Sequence, residues 1–475
     1  MNNKLDKFFK ISERGSNVKT EIIAGLTTFF AMAYIVVTNP NQVVGFMNFD
    51  PLLGGLYAPI WNAVYVASIL VAVIGTLLYA LYAKMPFAQA CGMGLNSFFF
   101  VSFIVPNIVD PLNGYRQGLC IILLSGLVFL ILSITGAREY IAKALPDCLK
   151  KAIPAGIGLF IAFIGFKNVG IIQANQYTFV QLFDFHGAIE GKSVFDAWVA
   201  IAPVVLALLG LFAIAILEKK NVKGSVIITI AGVTVLYYLS TWTLPSFDLG
   251  MIGQSFKDFG EYGFLGAFKG FNVFSGGASA IINAIVLVIT FCLVDMFDTI
   301  GTLYGTASQA NMLDENGDPL EINKSMASDS IATVAGAALG TSTCTTFVES
   351  AAGVAAGGRT GLASLVTAAC FAVCLFLSPV AAIVPACATA PALIYVGVLM
   401  LKNFAKVDMK DITAAVPAFL ALIMMPLTYS ISNGIAVGAI SYVIIAAVTG
   451  KFTKKDIVVT LIAVLFTLRF FFVTM

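Results

Sequence analysis

Charge is what this chain lacks most: of its 475 residues only 11% are Asp, Glu, Lys or Arg. Histidine is rarer still, with His186 the single example, set in a polar loop. So few charges exclude an ordinary soluble protein, and a formal net charge of +2 offers no basic field to a nucleic-acid partner. One loop histidine also excludes a histidine-based metal site or proton relay at membrane depth. Cysteine is present but lacks the spacing that its chemistry needs. Cys91, Cys120, Cys148, Cys292, Cys344, Cys370, Cys374 and Cys387 all lie in or beside apolar segments, without a CxxC pair or a nearby histidine. They read as small buried residues, not as disulfide partners or metal ligands. There is no Walker A pattern, nucleotide-binding domain or nucleophile–base pair, so ATP-driven pumping and hydrolysis have no vehicle, and no metal or organic cofactor is expected. Nor is there a cleavable signal pattern: "MNNKLDKFFKISERGSNVKT" is polar and basic, and the first span is expected to be retained.

What the chain has is apolar length. Hydrophobic residues make up 59% of it, mean hydropathy is +0.95, and long runs without alternation recur throughout. That pattern predicts an all-α polytopic membrane protein and not a β-barrel. The first set of predicted segments is 19–40, 61–84, a broken 88–105, 113–135, 148–168, 196–217 and 223–244. The second is 277–307, 323–340, a broken 343–357, 359–379, 381–401, 411–430 and 432–450. A last apolar run, 456–473, contains Arg469 and is either an interfacial helix or an extra span. Alternating the segments from a cytoplasmic N-terminus puts 21 lysines and arginines inside and five outside (Arg116, Lys167, Lys192, Lys257 and Lys269). That asymmetry obeys the positive-inside rule, which favours fourteen transmembrane segments in a cell membrane with the N-terminus inside.

Seven segments per half is an odd number, so two similar halves must lie inverted. Faint symmetry agrees. "LPDCLKKAIPAGIGLFIAFIGFKN" (145–168) resembles "VPACATAPALIYVGVLMLKN" (384–403), and "PFAQACGMGLNSFF" (86–99) resembles "TFVESAAGVAAGG" (346–358). The second match sets Gln89 opposite Glu349. Gly-interrupted segments in corresponding places mark a transporter's central site, because non-helical backbone is tolerated at membrane depth only when buried in protein or lining a cavity. The β-branched, polar "GTSTCTTFVE" (340–349) predicts a short extended piece followed by a helix from about Ser350, mirrored by "FAQA" (87–90) and a helix from about Gly92. Two helix N-termini facing the bilayer middle favour polar or anionic groups. The same small residues, Gly353-x-x-x-Gly357 among them, also permit close helix packing.

Acids complete the pattern. A charged side chain at membrane depth costs about 2.5–3.5 kcal/mol on insertion scales, so one kept there is read as functional. Glu349 is such an acid. Asp295 and Asp298, in "FCLVDMFDTIGT" (291–302), are three apart and share a helix face; Asp298 lies nearer the inner end and water. Asp329, in "SMASDSIATVAG", fits a supporting role or a helix-pinning one equally. "DENGDPLE" (314–321) has the look of a calcium loop, but Pro319 stands where that loop needs Gly, so a solvated turn is expected. Without an ATP motor the acids indicate secondary transport coupled to a cation. Protons are the natural choice, because a desolvated carboxyl group holds its proton more tightly. Sodium also suits carboxylates and broken-helix carbonyls.

"GLTTFFAMAYIVVTNP" (25–40), "AQACGMGLNSFF" (88–99), "VDMFDTIGTL" (294–303) and "GTSTCTTFVESAAGVAAGGRTGL" (340–362) together resemble the azaguanine-resistance-like purine permeases. These are hypoxanthine, guanine and adenine carriers of the nucleobase:cation symporter-2 superfamily, and the resemblance covers nearly the whole chain. It implies a seven-plus-seven inverted repeat with a core domain (19–135 and 277–379) and a gate domain (136–244 and 380–450). A cytoplasmic tail (1–18), an extracytoplasmic loop (245–276) and a C-terminal tail (451–475) complete that plan. Segments 3 and 10 are implied to be broken, their extended pieces 87–90 and 345–348 pairing as short antiparallel strands with the substrate between them. By motif position Glu349 and Asp295 resemble the family's substrate- and proton-linked acids, and Asn96 and Asp298 resemble residues that shape and support the site. Cys91 departs from the pattern, which has Pro there.

The chemistry suits such a cargo. A guanine edge presents parallel N–H donors that one carboxylate, Glu349, can accept, while Gln89, Asn96 and backbone amides can answer acceptors. Ala90, Thr346 and Ser350 complete the expected lining, with Asp329 in support. Phe29, Phe30, Tyr34, Phe98 and Phe347 are candidates to stack on the flat base, a contact worth about 1–3 kcal/mol. The expectation is purine import by proton symport with alternating access, compatible with a homodimer through the gate domain. Same-fold xanthine, uracil or sulfate/bicarbonate carriers, a membrane-embedded enzyme and a channel are the alternatives. The acids argue against an anion carrier, and the lone loop histidine against an enzyme.

Overall fold

The computed structural model describes residues 2–45, 54–135, 146–222, 224–245, 247–310, 312–315, 319–453 and 456–472. A short helix α1 (Asn2–Phe9) precedes α2 (Val18–Met32), whose N-cap Asn17 accepts from the Thr20 amide at 2.9 Å. The single helix predicted to residue 40 is in fact interrupted at Ala33–Tyr34 and resumes as α3 (Ile35–Val43), which contains Pro40. Pro40 offers no N–H to Val36, and its ring crowds that carbonyl. The amides of Val37 and Thr38 both donate to the Tyr34 carbonyl, at 3.1 and 3.0 Å, so the winding tightens at the joint.

The first half continues with α4 (Gly54–Leu78), extended by a π turn over Tyr79–Ala83 and stopped by Lys84 in the left-handed conformation. Then come β1 (Gln89–Cys91), α5 (Met93–Phe99), α6 (Pro111–Thr135) and α7 (Asp147–Asn168). A hairpin of β2 (Ile172–Asn175) and β3 (Phe179–Leu182) and a short α8 (Phe185–Ile189) follow, with His186 exposed. The helices α9 (Val194–Lys219) and α10 (Ser225–Thr241) close this half. Where the sequence predicts only a loop, α11 (Gly250–Asp258) docks on α4 through the Asn62 amide, 2.7 Å from the Asp258 carboxylate.

The second half comprises α12 (Gly277–Ala310), α13 (Ile322–Leu339), β4 (Cys344–Thr346), α14 (Ser350–Ala355), α15 (Gly361–Cys374) and α16 (Ser378–Ala382). It ends in α17 (Ala386–Leu401), α18 (Ile412–Leu427), α19 (Ile431–Val448) and α20 (Ile457–Phe472). The middle of "DENGDPLE", residues 316–318, lies outside the described residues; Leu313 bridges Pro319 at its base. Among the described residues eight helical runs are long and apolar enough to cross a membrane, and five shorter apolar helices of 10–17 residues accompany them.

Small residues set the packing. α2 lies against α14 and α15, α15 against α4, and α13 against α4 and α6. Separately, α7 packs on α17 and α18, α18 on α19, and α9 on α10 and α17. At the α7–α17 crossing a methyl on Gly158 would stand 2.6 Å from Met400 Cβ and 2.9 Å from the Gly397 carbonyl oxygen, so only glycine allows this approach. The polar ends are tied as well. Buried Glu21 accepts from the amides of Arg359 (2.9 Å) and Thr360 (3.2 Å), while Arg14 donates to the carbonyls of Lys84 (2.7 Å) and Arg359 (3.1 Å).

Candidate functional site

The two broken segments meet as strands. β1 and β4 pair antiparallel, Gln89 with Thr346, Ala90 with Thr345 and Cys91 with Cys344. The ladder extends by Phe347 N to the Ala88 carbonyl and Gly92 N to the Thr343 carbonyl, both 3.0 Å. All six paired residues are buried, so a pair this short satisfies its backbone where no water could.

Asp329 of α13, fully buried, pins this crossing. Its carboxylate accepts from the Thr346 amide (3.1 Å) and hydroxyl (2.9 and 3.0 Å), from Thr299 of α12 (2.5 Å), from Tyr79 (3.3 Å) and from the Gln89 side-chain amide. Five donors from both halves thus converge on one acid, enough to fill the roughly four lone-pair sites of a carboxylate away from water. A second network holds the approach. The Asn96 amide donates to Asn39 and, at 3.2 Å, to Gln42, and its carbonyl accepts from Ser342; Asn39 in turn donates to Ser68 and to Thr341 at 3.2 Å.

The remaining acids keep unspent capacity. Asp295 is 1% exposed; its Oδ2 accepts from Thr333 at 2.8 Å, and its Oδ1 has no partner among the described residues. Thr333 itself holds β4, bonding both the amide (3.1 Å) and the carbonyl (3.0 Å) of Cys344. Glu349, half-buried at the N-cap of α14, accepts from the Tyr34 hydroxyl at 2.6 Å. Asp298, also half-buried, lies in the field of Glu349, and Asp295 in that of Asp298 and Asp329. Among the described residues no ion pair joins any of the four to a lysine or arginine, and no cluster of His, Cys, Asp or Glu could hold a metal ion. An orphaned buried carboxyl oxygen is an acceptor in waiting, for a proton or for a ligand N–H.

The structure sorts the sequence's candidates. It brings Asp295, Asp298, Asp329 and Glu349 into one neighbourhood. Gln89 is not the counterpart of Glu349: it lies inside β1, paired with Thr346, and its amide is committed to Asp329. The residue that caps α5 as Glu349 caps α14 is Gly92. Asn96, Thr346 and Ser350 are likewise engaged inside the protein, Ser350 accepting from the Ala88 amide at 3.0 Å. α14 has six residues, and Glu349 stands at its N-cap without a side-chain capping bond. Ala90 and Phe347 are buried at the crossing. Phe98 packs on Phe291 with ring centroids 5.0 Å apart, and Phe29 lies edge-on between Phe30 and Phe371; Phe30 is 49% exposed. Sequence reasoning missed Asn39, Thr299, Thr333 and Phe291. The "TNPNQ" run (38–42), three amides inside an apolar segment, was a readable signal for the first.

A many-helix membrane assembly with two interrupted segments crossing as strands, and unpaired acids beside them, defines a multi-pass membrane permease. The chain belongs to the Permease family (Xan_ur_permease), which it matches over residues 19–437. It is 38% identical to the guanine/hypoxanthine permease PbuO of Bacillus subtilis, over 98% of this chain and 99% of that one. It is 35% identical to the adenine permease AdeQ of Escherichia coli, over 98% and 96%. Among solved structures it resembles the transmembrane domain of a cyanobacterial bicarbonate transporter, BicA, with a TM-score of 0.60 at 16% identity, covering 88% of this chain and 97% of that one. That last likeness is one of fold.

Proposed function

We propose that this protein imports purine nucleobases by proton symport. What carries the reading is its similarity, over nearly the whole chain, to permeases named for adenine and for guanine and hypoxanthine. The base lies against the β1–β4 crossing, where Glu349 accepts its parallel N–H groups in a geometry that suits a carboxylate. The free oxygen of Asp295 takes the coupled proton. With Asp329 already satisfied by five donors, Asp295, Asp298 and Glu349 remain to bind and titrate.

The transport cycle is alternating access across fourteen segments in a seven-plus-seven inverted repeat, with the N-terminus in the cytoplasm. A core (19–135 and 277–379) moves against a gate (136–244 and 380–450). The mutual packing of α7, α9, α10, α17, α18 and α19 supports this division. A proton on the acids, together with a neutral base, removes the buried charge that would otherwise oppose movement. Uptake of labelled hypoxanthine, guanine, adenine, xanthine and uracil in transport-deficient cells, with and without a proton uncoupler, tests the proposal. Purines should accumulate and the uncoupler should abolish accumulation. Failure to accumulate any purine overturns the substrate, and accumulation that follows sodium and ignores the uncoupler overturns the coupling ion.

A further inference from the structure

Cys91 and Cys344 stand directly opposite each other at the β1–β4 crossing. Spacing along the chain, which gives the cysteines no disulfide pattern, does not register this pairing. An antiparallel pair alternates between positions that exchange backbone hydrogen bonds and positions that do not. The bonds of Phe347 to Ala88 and of Gly92 to Thr343 mark two bonded positions, and alternation makes Ala90–Thr345 the third. Gln89–Thr346 and Cys91–Cys344 are therefore the non-bonded ones. Their outward-pointing backbone groups agree. Thr76 holds both the amide (3.1 Å) and the carbonyl (3.2 Å) of Gln89, Asp329 accepts from the Thr346 amide, and Thr333 holds both groups of Cys344. At a non-bonded position the α-carbons are about 4.5 Å apart and the side chains come close on one face. A disulfide spans about 4.4–6.8 Å between α-carbons.

Both thiols are free and fully buried, and both pack in one small cluster with Val71 and Ala332. Cys91 Sγ also lies 3.2 Å from Thr341 Oγ1, and Cys91 lines a void of about 10 Å³ together with Ser68, Ala90 and Phe371. That is room for about one molecule of the size of water. Among the described residues no other two of the eight cysteines face each other across a strand pair. Cys370 and Cys374 follow each other on α15, where the Cys374 thiol is 3.6 Å from the Cys370 carbonyl oxygen.

We propose that Cys91 and Cys344 form a modification site, at which hydrogen peroxide converts the two thiols into a disulfide that staples the broken segments together. The Cys91 sulfur attacks one peroxide oxygen, the O–O bond breaks, and water leaves with the thiol proton, so that Cys91 becomes a sulfenic acid. The Cys344 sulfur then attacks Cys91 Sγ. The S–S bond forms, the S–O bond breaks, and a second water carries off the Cys344 proton. Two thiols lose two electrons in all, and one peroxide becomes two waters. A small dithiol reductant restores both thiols and is itself oxidised to a disulfide. Peroxide is neutral and little larger than water, which suits the void beside Cys91. The staple joins strands from opposite halves of the chain and so closes a long loop, the case in which a cross-link restricts the unfolded chain most. It involves neither the substrate nor the coupling ion and stands apart from the purine reading.

Purified full-length protein, reduced and then treated with hydrogen peroxide, is alkylated in denaturant and mapped by mass spectrometry. All eight thiols should be alkylated in the reduced protein and two fewer after oxidation, with a linked Cys91–Cys344 peptide appearing. A dithiol reductant should remove that peptide, and the oxidised protein should melt at a higher temperature than the reduced one. Cys91→Ala and Cys344→Ala should each lose both the linked peptide and the rise in melting temperature, whereas Cys370→Ala should keep both. Folded wild-type protein that gives no linked peptide at a peroxide concentration that oxidises exposed Met409 overturns the proposal. Linkage of either cysteine to a third one instead overturns it too, and a linked protein that melts no higher than the reduced one overturns the staple.

Discussion

Tyr34 and Asp295 show how one hydrogen bond, made or missing, separates roles among similar residues. Tyr34 stands among the aromatic candidates to stack on a base, but it is fully buried and its hydroxyl is committed to Glu349 at 2.6 Å. Its tie orients the acid that the proposal assigns to purine N–H groups. Asp295 has one oxygen satisfied by Thr333 and one left over. An amide at that position keeps the shape and an acceptor but cannot titrate. Asp295→Asn is therefore expected to retain equilibrium binding of labelled hypoxanthine in detergent and to lose accumulation driven by a pH gradient. Gradient-driven accumulation equal to the wild type would remove Asp295 from proton coupling. The acids were legible in the sequence because a carboxylate at membrane depth is costly enough to need a reason. Their division into a satisfied hub and unsatisfied partners was not, since it depends on which donors arrive from segments far away.

At the scale of elements, the crossing of β1 and β4 is held by Asp329 and by the Asn39–Asn96–Ser342 chain more than by its own few backbone bonds. Strands of three residues are too short to fold alone. The sequence does point to an extended piece at each break, through the β-branched "TSTCTT" run (341–346) and the interrupted apolar pattern near Gln89. The pieces expected at 87–90 and 345–348 do pair, Gln89 with Thr346 and Ala90 with Thr345, but the tie of Gln89 to Asp329 was not legible, because the two are 240 residues apart. Replacing Asp329 with Asn puts an N–H group among donors and leaves buried donors unmet, at about 1–3 kcal/mol each. Asp329→Asn should therefore lower the melting temperature of the purified protein and reduce uptake through loss of folded protein. A variant with wild-type melting but no transport would instead make Asp329 part of the site. The break between α2 and α3 falls at Ala33–Tyr34, six residues before Pro40, which α3 contains without interruption, and the predicted continuous helix overlooked it.

For the whole molecule, length and charge bias reach far. The lysine and arginine asymmetry predicts that a cysteine introduced at Lys192 labels with an impermeant thiol reagent from outside intact cells, and that one at Lys410 labels only after permeabilisation. The reverse pattern would invert the topology. By itself the sequence determined that this is a multi-pass helical membrane protein and which family it joins, and it singled out the acids at membrane depth. Transfer of apolar side chains into lipid is a local, nearly additive property, and motif spacing is carried along the chain. The tertiary structure alone decided that Asp329 is the satisfied hub, that Gln89 serves it and that Tyr34 holds Glu349. Each of these is a pairing across long sequence separation, and hydrogen bonds between distant segments have no signature in composition or period until the helices have packed.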